Sequence, residues 1–262
     1  MTERSDSEHT IDLSVEVPGT PEQVWEAIAT GPGITSWFVP HDFDGAVGAR
    51  VRVDFGGGLA GSATVTTWEP PHRLVFKRDG DQALAYEWLV EARDGGSCVI
   101  RLVCTGFGAG DDWETEFNGQ TEGWRLFLQN LRLHLTHFGG QHARAIIPTA
   151  FVTGTRDRAF EALCSALGVP ADLADGDPFE ASVPGGPPLT GQVARTTTTG
   201  ARAYQLVLQS PAPGTAILSA EGGGDQVALG LWLYLYGPDA GLDTDAFGSF
   251  LTGVGERLAP TA

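Results

Sequence analysis

The sequence predicts an α+β protein built twice, each copy a curled antiparallel β-sheet wrapped around a long C-terminal α-helix. Three observations carry this. Val17-Pro18-Gly19-Thr20 with Trp25-Glu26-Ala27-Ile28 returns 135 residues later as Val152-Thr153-Gly154-Thr155 with Phe160-Glu161-Ala162-Leu163. Leu59-Ala60-Gly61 with Thr66-Thr67 returns 130 residues later as Leu189-Thr190-Gly191 with Thr196-Thr197. A near-constant period of this kind marks two copies of one unit, and 262 residues suit two domains of ordinary size. Third, each half runs from a strand through a short helix and several strands to a closing helix, the order of an α+β layer arrangement. Residues 1–10 are read as a disordered N-terminus, 11–140 as the first domain and 141–262 as a second, divergent copy.

In the first half, Ile11, Leu13, Val15 and Val17 alternate with polar residues, the period of a strand with one buried face. Thr20 then caps a short helix with Pro21 at its first position, and Gly31-Pro32-Gly33 reads as its stop. Five further strands follow at about 48–55, 61–69, 73–79, 83–92 and 98–105, divided by Gly, Pro and Asp turns. From Trp113 the period becomes helical, with Trp124, Leu128, Leu131 and Leu135 on one stripe. The second half repeats the order: a strand from Ala145 to Val152, a helix capped by Thr155 and ending near Leu167, strands near 179–183, 189–198, 202–209, 215–221 and 226–236, and a helix over 243–258. A twisted sheet cannot lie flat on one helix, so a hydrophobic cavity is expected between them.

Composition narrows the function classes. Sixteen Lys and Arg against 33 Asp and Glu give a net charge of −17, which repels phosphate backbones and argues against nucleic acid as a partner. Such acidity reports solubility, or equally an acidic, salt-adapted or high-GC proteome. Cys98, Cys104 and Cys164 read as reduced core thiols. No apolar window reaches the length of a membrane span, so no membrane insertion is expected, and the protein is read as soluble and cytoplasmic.

Ile34-Thr35-Ser36-Trp37-Phe38-Val39-Pro40, Gly45-Ala46-Val47-Gly48-Ala49-Arg50-Val51, Trp68-Glu69-Pro70-Pro71-His72-Arg73-Leu74-Val75 and the Gly123-Trp124 helix together resemble the SRPBCC superfamily. Within it, residues 11–138 look most like the branch similar to activators of a heat-shock-protein ATPase; the second half resembles the superfamily only through its echoes and element order. The resemblance implies two tandem helix-grip (START-like, Bet v 1-like) domains with a pocket under the long helix. The superfamily includes ligand carriers, polyketide aromatases and cyclases, and sensors, so it fixes no single activity.

Trp37, Phe38, Phe55, Phe76, Tyr86, Trp88, Phe117 and Trp124 are the residues expected to face the first cavity, where aromatic residues pack an ordinary core and can also line the site of an apolar ligand. For acid or base chemistry, His41, Arg101 and Glu116 are the candidates, Arg101 being the one placed inward because it shares parity with Val99 and Val103. His134, His137 and His142 lack a completing acidic or cysteine ligand and read as residues of a helix end, so no metal is expected, and no cofactor. The glycine strings lack the Lys and the strand-to-helix setting of a phosphate loop and read as turns. The leading expectation is binding of a small apolar molecule in the first domain, without turnover. An aromatase or cyclase working without cofactor is the enzyme alternative, and a chaperone-ATPase activator-like module is the third; a protein partner or a homodimer is left open.

Overall fold

The computed structural model of the protein describes residues 9–56, 58–80, 84–108, 111–223, 226–237 and 244–258. Of the start expected to be disordered, only His9 and Thr10 lie among the described residues. By compactness the chain divides into two units. Met1–Ile34, Pro40–Asp54 and Ala60–Gly140 form the first, and Thr35–Val39, Phe55–Leu59 and Gln141–Ala262 the second.

The first repeat runs β1 (Ile11–Pro18), α1 (Pro21–Ala29), α2 (Gly31–Thr35), β2 (His41–Asp42), β3 (Arg50–Asp54), β4 (Ala60–Glu69), β5 (Arg73–Arg78), β6 (Ala85–Arg93), β7 (Ser97–Thr105) and α3 (Asp111–Phe138). Its sheet has seven antiparallel strands in the order β1-β7-β6-β5-β4-β3-β2, so the first strand joins the last and the rest form a meander. Register sets the faces. Ile11, Val15 and Val17 lie opposite Cys104, Ile100 and Cys98, and these share the buried face with Leu102, Trp88, Val90, Leu74 and Phe76. The long helix α3 packs against β1 and lays Leu128, Leu131 and Leu135 into the core.

The local chemistry explains the helices. Thr20 and Gln23 form a reciprocal cap: the Gln23 N–H donates to Thr20 Oγ1 (3.4 Å) while the Thr20 N–H donates to Gln23 Oε1 (2.9 Å). Gly31-Pro32-Gly33, expected to stop α1, instead opens a second short helix, with the Gly33 N–H donating to Thr30 Oγ1 (2.9 Å). Glycine is needed there for contact: a Cβ on Gly33 would stand 2.1 Å from the Glu26 carbonyl oxygen.

The second repeat runs β8 (Arg144–Ile146), β9 (Thr149–Val152), α4 (Arg156–Leu167), β10 (Pro178–Ser182), β11 (Pro188–Thr197), β12 (Arg202–Ser210), β13 (Gly214–Gly223), β14 (Gln226–Leu235) and α5 (Thr244–Leu258). It is wired as the first is, its opening strand pairing with its last and the remainder forming the meander β14-β13-β12-β11-β10. The single strand expected over 145–152 is divided at Ile147-Pro148, because Pro148 has no N–H to give to a ladder. Both pieces nonetheless keep one register on β14, with Ile146 opposite Leu233 and Thr149 opposite Gly230. Thr155 caps α4 as Thr20 caps α1, accepting from the Arg158 N–H at 3.4 Å, and Gly168 closes it in the left-handed conformation (φ 75°). The core joins Phe160, Leu163 and Leu167 of α4 to Leu206, Leu218, Leu229, Leu231 and Leu233 of the sheet and to Phe247, Leu251 and Val254 of α5.

Candidate functional site

The stripe of α3 that faces the sheet changes character along its length. Leu128, Leu131 and Leu135 are buried, whereas Trp113, Phe117, Gln120 and Trp124, on the same stripe nearer the N-terminus, are only half-buried. Across from this segment β6 brings Tyr86 and Trp88 to the inner face, since Tyr86 pairs with Phe76 and with the buried Cys104, and Trp88 with Leu74 and Leu102. Trp124 reaches both: its ring centroid is 5.9 Å from that of Tyr86 and 5.5 Å from that of Trp88, the second contact edge-to-face. Trp88 is buried beneath, while Tyr86 and Trp124 keep part of their surface accessible.

This aromatic surface ends in a polar chain. The Tyr86 hydroxyl lies 3.1 Å from Gln120 Oε1, Gln120 Nε2 lies 3.0 Å from Glu116 Oε1, and Arg78 Nη1 lies 3.3 Å from the same carboxylate oxygen. Helical spacing puts Glu116 and Gln120 one turn apart on α3, and Arg78 ends the neighbouring strand β5. Burial pushes the Tyr86 phenol up to about 12, with the nearby Cys104 adding to the shift, so the hydroxyl keeps its proton at neutral pH. Beyond it, Phe117 packs edge-on against Phe107 (5.3 Å) and lies 4.9 Å from the His9 ring.

The residues expected from sequence therefore divide. Tyr86, Trp88, Phe117, Trp124 and Glu116 gather along α3 and the strands it covers, and Phe76 adjoins Tyr86 on the inner face, its ring 5.4 Å from Phe43. Trp37, Phe38 and Phe55 do not join them: they fall in segments that belong to the second compact unit, where Trp37 stacks on Phe38 (5.7 Å) and Phe55 is 41% exposed. His41 shares the inner-face register with Val53, but on β2, four strands along from β6.

Arg101 is a correction. It points to the outer face, exposed and paired through Nε with Asp12 Oδ1 at 2.8 Å, while its neighbours Ile100 and Leu102 are fully buried. Val99 and Val103, which share the parity of Arg101, are the half-buried outer row. His134 lies four residues before the end of α3 and is fully buried there. All three cysteines are free and buried, and burial raises each thiol. Among the described residues no group of three His, Cys, Asp or Glu is placed to hold a metal ion, and no helix is long and apolar enough to cross a membrane.

Sequence reasoning missed Gln120 and Arg78, which carry no motif and matter only through their neighbours. It also missed a solvent-open groove of about 850 Å³ in the second unit, between α4 and α5. Its walls are small residues at helical spacing, Ala162 and Ala166 against Ser249 and Gly253, over Phe250.

Residues 18–136 match the family described as activator of Hsp90 ATPase homolog 1-like protein. No curated protein matches the chain. Among solved structures, the Aha1 dimer from Colwellia psychrerythraea is 20% identical, with 48% of this chain and 96% of that one covered and a TM-score of 0.42. DynU16, a protein of the dynemicin biosynthetic locus, is 18% identical over 95% of this chain and 99% of its own, with a TM-score of 0.45. The di-domain ARO/CYC BexL from the BE-7585A biosynthetic pathway is 12% identical over 97% and 99%, with a TM-score of 0.44. At such identities these likenesses say nothing of chemistry. Residues 18–136 are thus similar in sequence to the activator-like family, and the shared wiring of the two sheets gives the chain the fold of two tandem helix-grip domains.

Proposed function

We propose that the first unit binds a small, flat, mainly apolar molecule between its sheet and the N-terminal half of α3. The observation that supports this is the half-buried aromatic surface of Tyr86 and Trp124 over buried Trp88, closed at one end by the Gln120–Glu116–Arg78 chain. Mostly apolar walls with a few convergent polar groups are the usual make-up of a small-molecule site. Binding without turnover is favoured over a cyclase reaction because Glu116, the carboxylate of the polar chain, is tied to a guanidinium and an amide instead of standing ready to move protons. In this reading the protein works in the cytoplasm.

The test is equilibrium dialysis of naphthalene derivatives against the intact protein and Trp124→Ala. Saturable binding weakened at least tenfold in the variant is expected, since the substitution removes a ring worth roughly 1 kcal/mol or more in contacts beyond its buried area. Binding lost instead in Phe250→Ala would move the site to the groove of the second unit and overturn the reading. The match to the activator-like family supports a second reading, an interaction module, which recovery of a chaperone ATPase bound to the purified protein would favour.

A further inference from the structure

We infer that the site selects aromatic molecules carrying a hydroxyl donor, phenols or enols, over the corresponding ethers and ketones, and that Tyr86 makes the selection. This rests on the ligand site just proposed and adds a direction to its polar end.

The direction follows from which groups can donate. A guanidinium only donates and a carboxylate only accepts, so Arg78 fixes Glu116 Oε1 as an acceptor at 3.3 Å. Gln120 approaches the same oxygen at 3.0 Å. Turned the other way, its amide would set oxygen against carboxylate oxygen; it must therefore present NH2 to Glu116 and its carbonyl to Tyr86. An amide oxygen 3.1 Å from a phenol leaves the phenol one choice, which is to donate. A tyrosine has a single proton, and here it is committed to Gln120.

What Tyr86 has left is its lone pairs, and no described residue donates to them. The phenol is half-buried beside Trp124, at the edge of the aromatic surface. A ligand lying flat on that surface meets an acceptor there. A ligand hydroxyl satisfies it; an ether or ketone oxygen sets two acceptors together and strands both from water. Two hydroxyl sources, a phenol or the enol of a dicarbonyl, share this donor chemistry.

The experiment compares 2-naphthol with 2-methoxynaphthalene, which share one flat body, by equilibrium dialysis against the intact protein at pH 7. Tighter binding of 2-naphthol by about fivefold to tenfold is expected, the contribution of one hydrogen bond. Tyr86→Phe removes the acceptor and brings the two probes within about twofold. Gln120→Leu frees the phenol proton, so that 2-methoxynaphthalene rises to parity or better; this second variant leaves the tyrosine in place. Equal binding of the probes to the unaltered protein, or a naphthol preference that survives both substitutions, overturns the inference while leaving the ligand site standing. If neither probe binds saturably, the ligand site itself fails and the selection with it.

Discussion

Arg101 and Glu116 show how residue-level reading succeeds or fails. In β7 both parities are apolar, Val99 and Val103 on one face, Ile100 and Leu102 on the other, so alternation alone could not say which row faces in. Cross-strand register decides it, by pairing Ile100 with buried Val15 and Arg101 with Ser14. Arg101→Ala should therefore leave probe binding unchanged, and dialysis against the variant checks this. The ion pair itself should show in acid. Its hydrogen bond to Arg101 holds the Asp12 carboxyl below the usual range, so the pair's contribution is present above the ordinary Asp pKa and is lost as pH falls through the lowered one. A stability difference between the unaltered protein and Asp12→Asn at pH 7 that shrinks toward pH 2 is the expected outcome in urea titrations. Glu116 was legible as a carboxylate near a helix start. Gln120 and Arg78 were not, because a neutral amide and a strand-end arginine acquire meaning only when folding places them 3.0 and 3.3 Å from that carboxylate.

The elements were largely legible because their signals are local. Strand alternation and the caps Thr20 and Thr155 name the same starts in both repeats, and the matching 3.4 Å cap bonds predict matching costs. Thr20→Ala and Thr155→Ala should each destabilise by about 1 kcal/mol, measured by denaturant titration. The short elements escaped notice. Two-residue β2 has no period to detect, and Gly31-Pro32-Gly33 looks like a stop unless the close approach of the Glu26 carbonyl is known. On α3, the buried and half-buried parts of one stripe should respond differently. Leu131→Ala, at a fully buried position, should cost about 2–5 kcal/mol of stability, whereas Trp124→Ala should cost less stability and act chiefly on probe binding. Melting curves and dialysis on the same two proteins separate these effects.

At the scale of the molecule, titratable side chains report how much of the chain is shielded from water. All four tyrosines, Tyr86, Tyr204, Tyr234 and Tyr236, have phenols raised above 10, each chiefly by burial. A raised pKa gives stability that is whole below the unfolded value and fades as pH climbs toward the folded one. The native protein should accordingly show little phenolate absorbance at pH 10, and its stability should decline from pH 10 upward, through about 12 in the case of Tyr86. Half or more of the full phenolate signal at pH 10 in a protein still folded by circular dichroism would count against this. The division of the chain has a practical corollary for anyone who would dissect it. The echo in the sequence invites a cut after Gly140, but the second unit also draws on Thr35–Val39 and Phe55–Leu59. Ser36 alone accepts the Tyr236 hydroxyl at its carbonyl (3.0 Å) and the Ala143 N–H at its Oγ (2.8 Å). Gene-level symmetry and physical wholeness thus part company: a fragment trimmed at the repeat boundary would begin life missing two splints lent by the other half of the polypeptide.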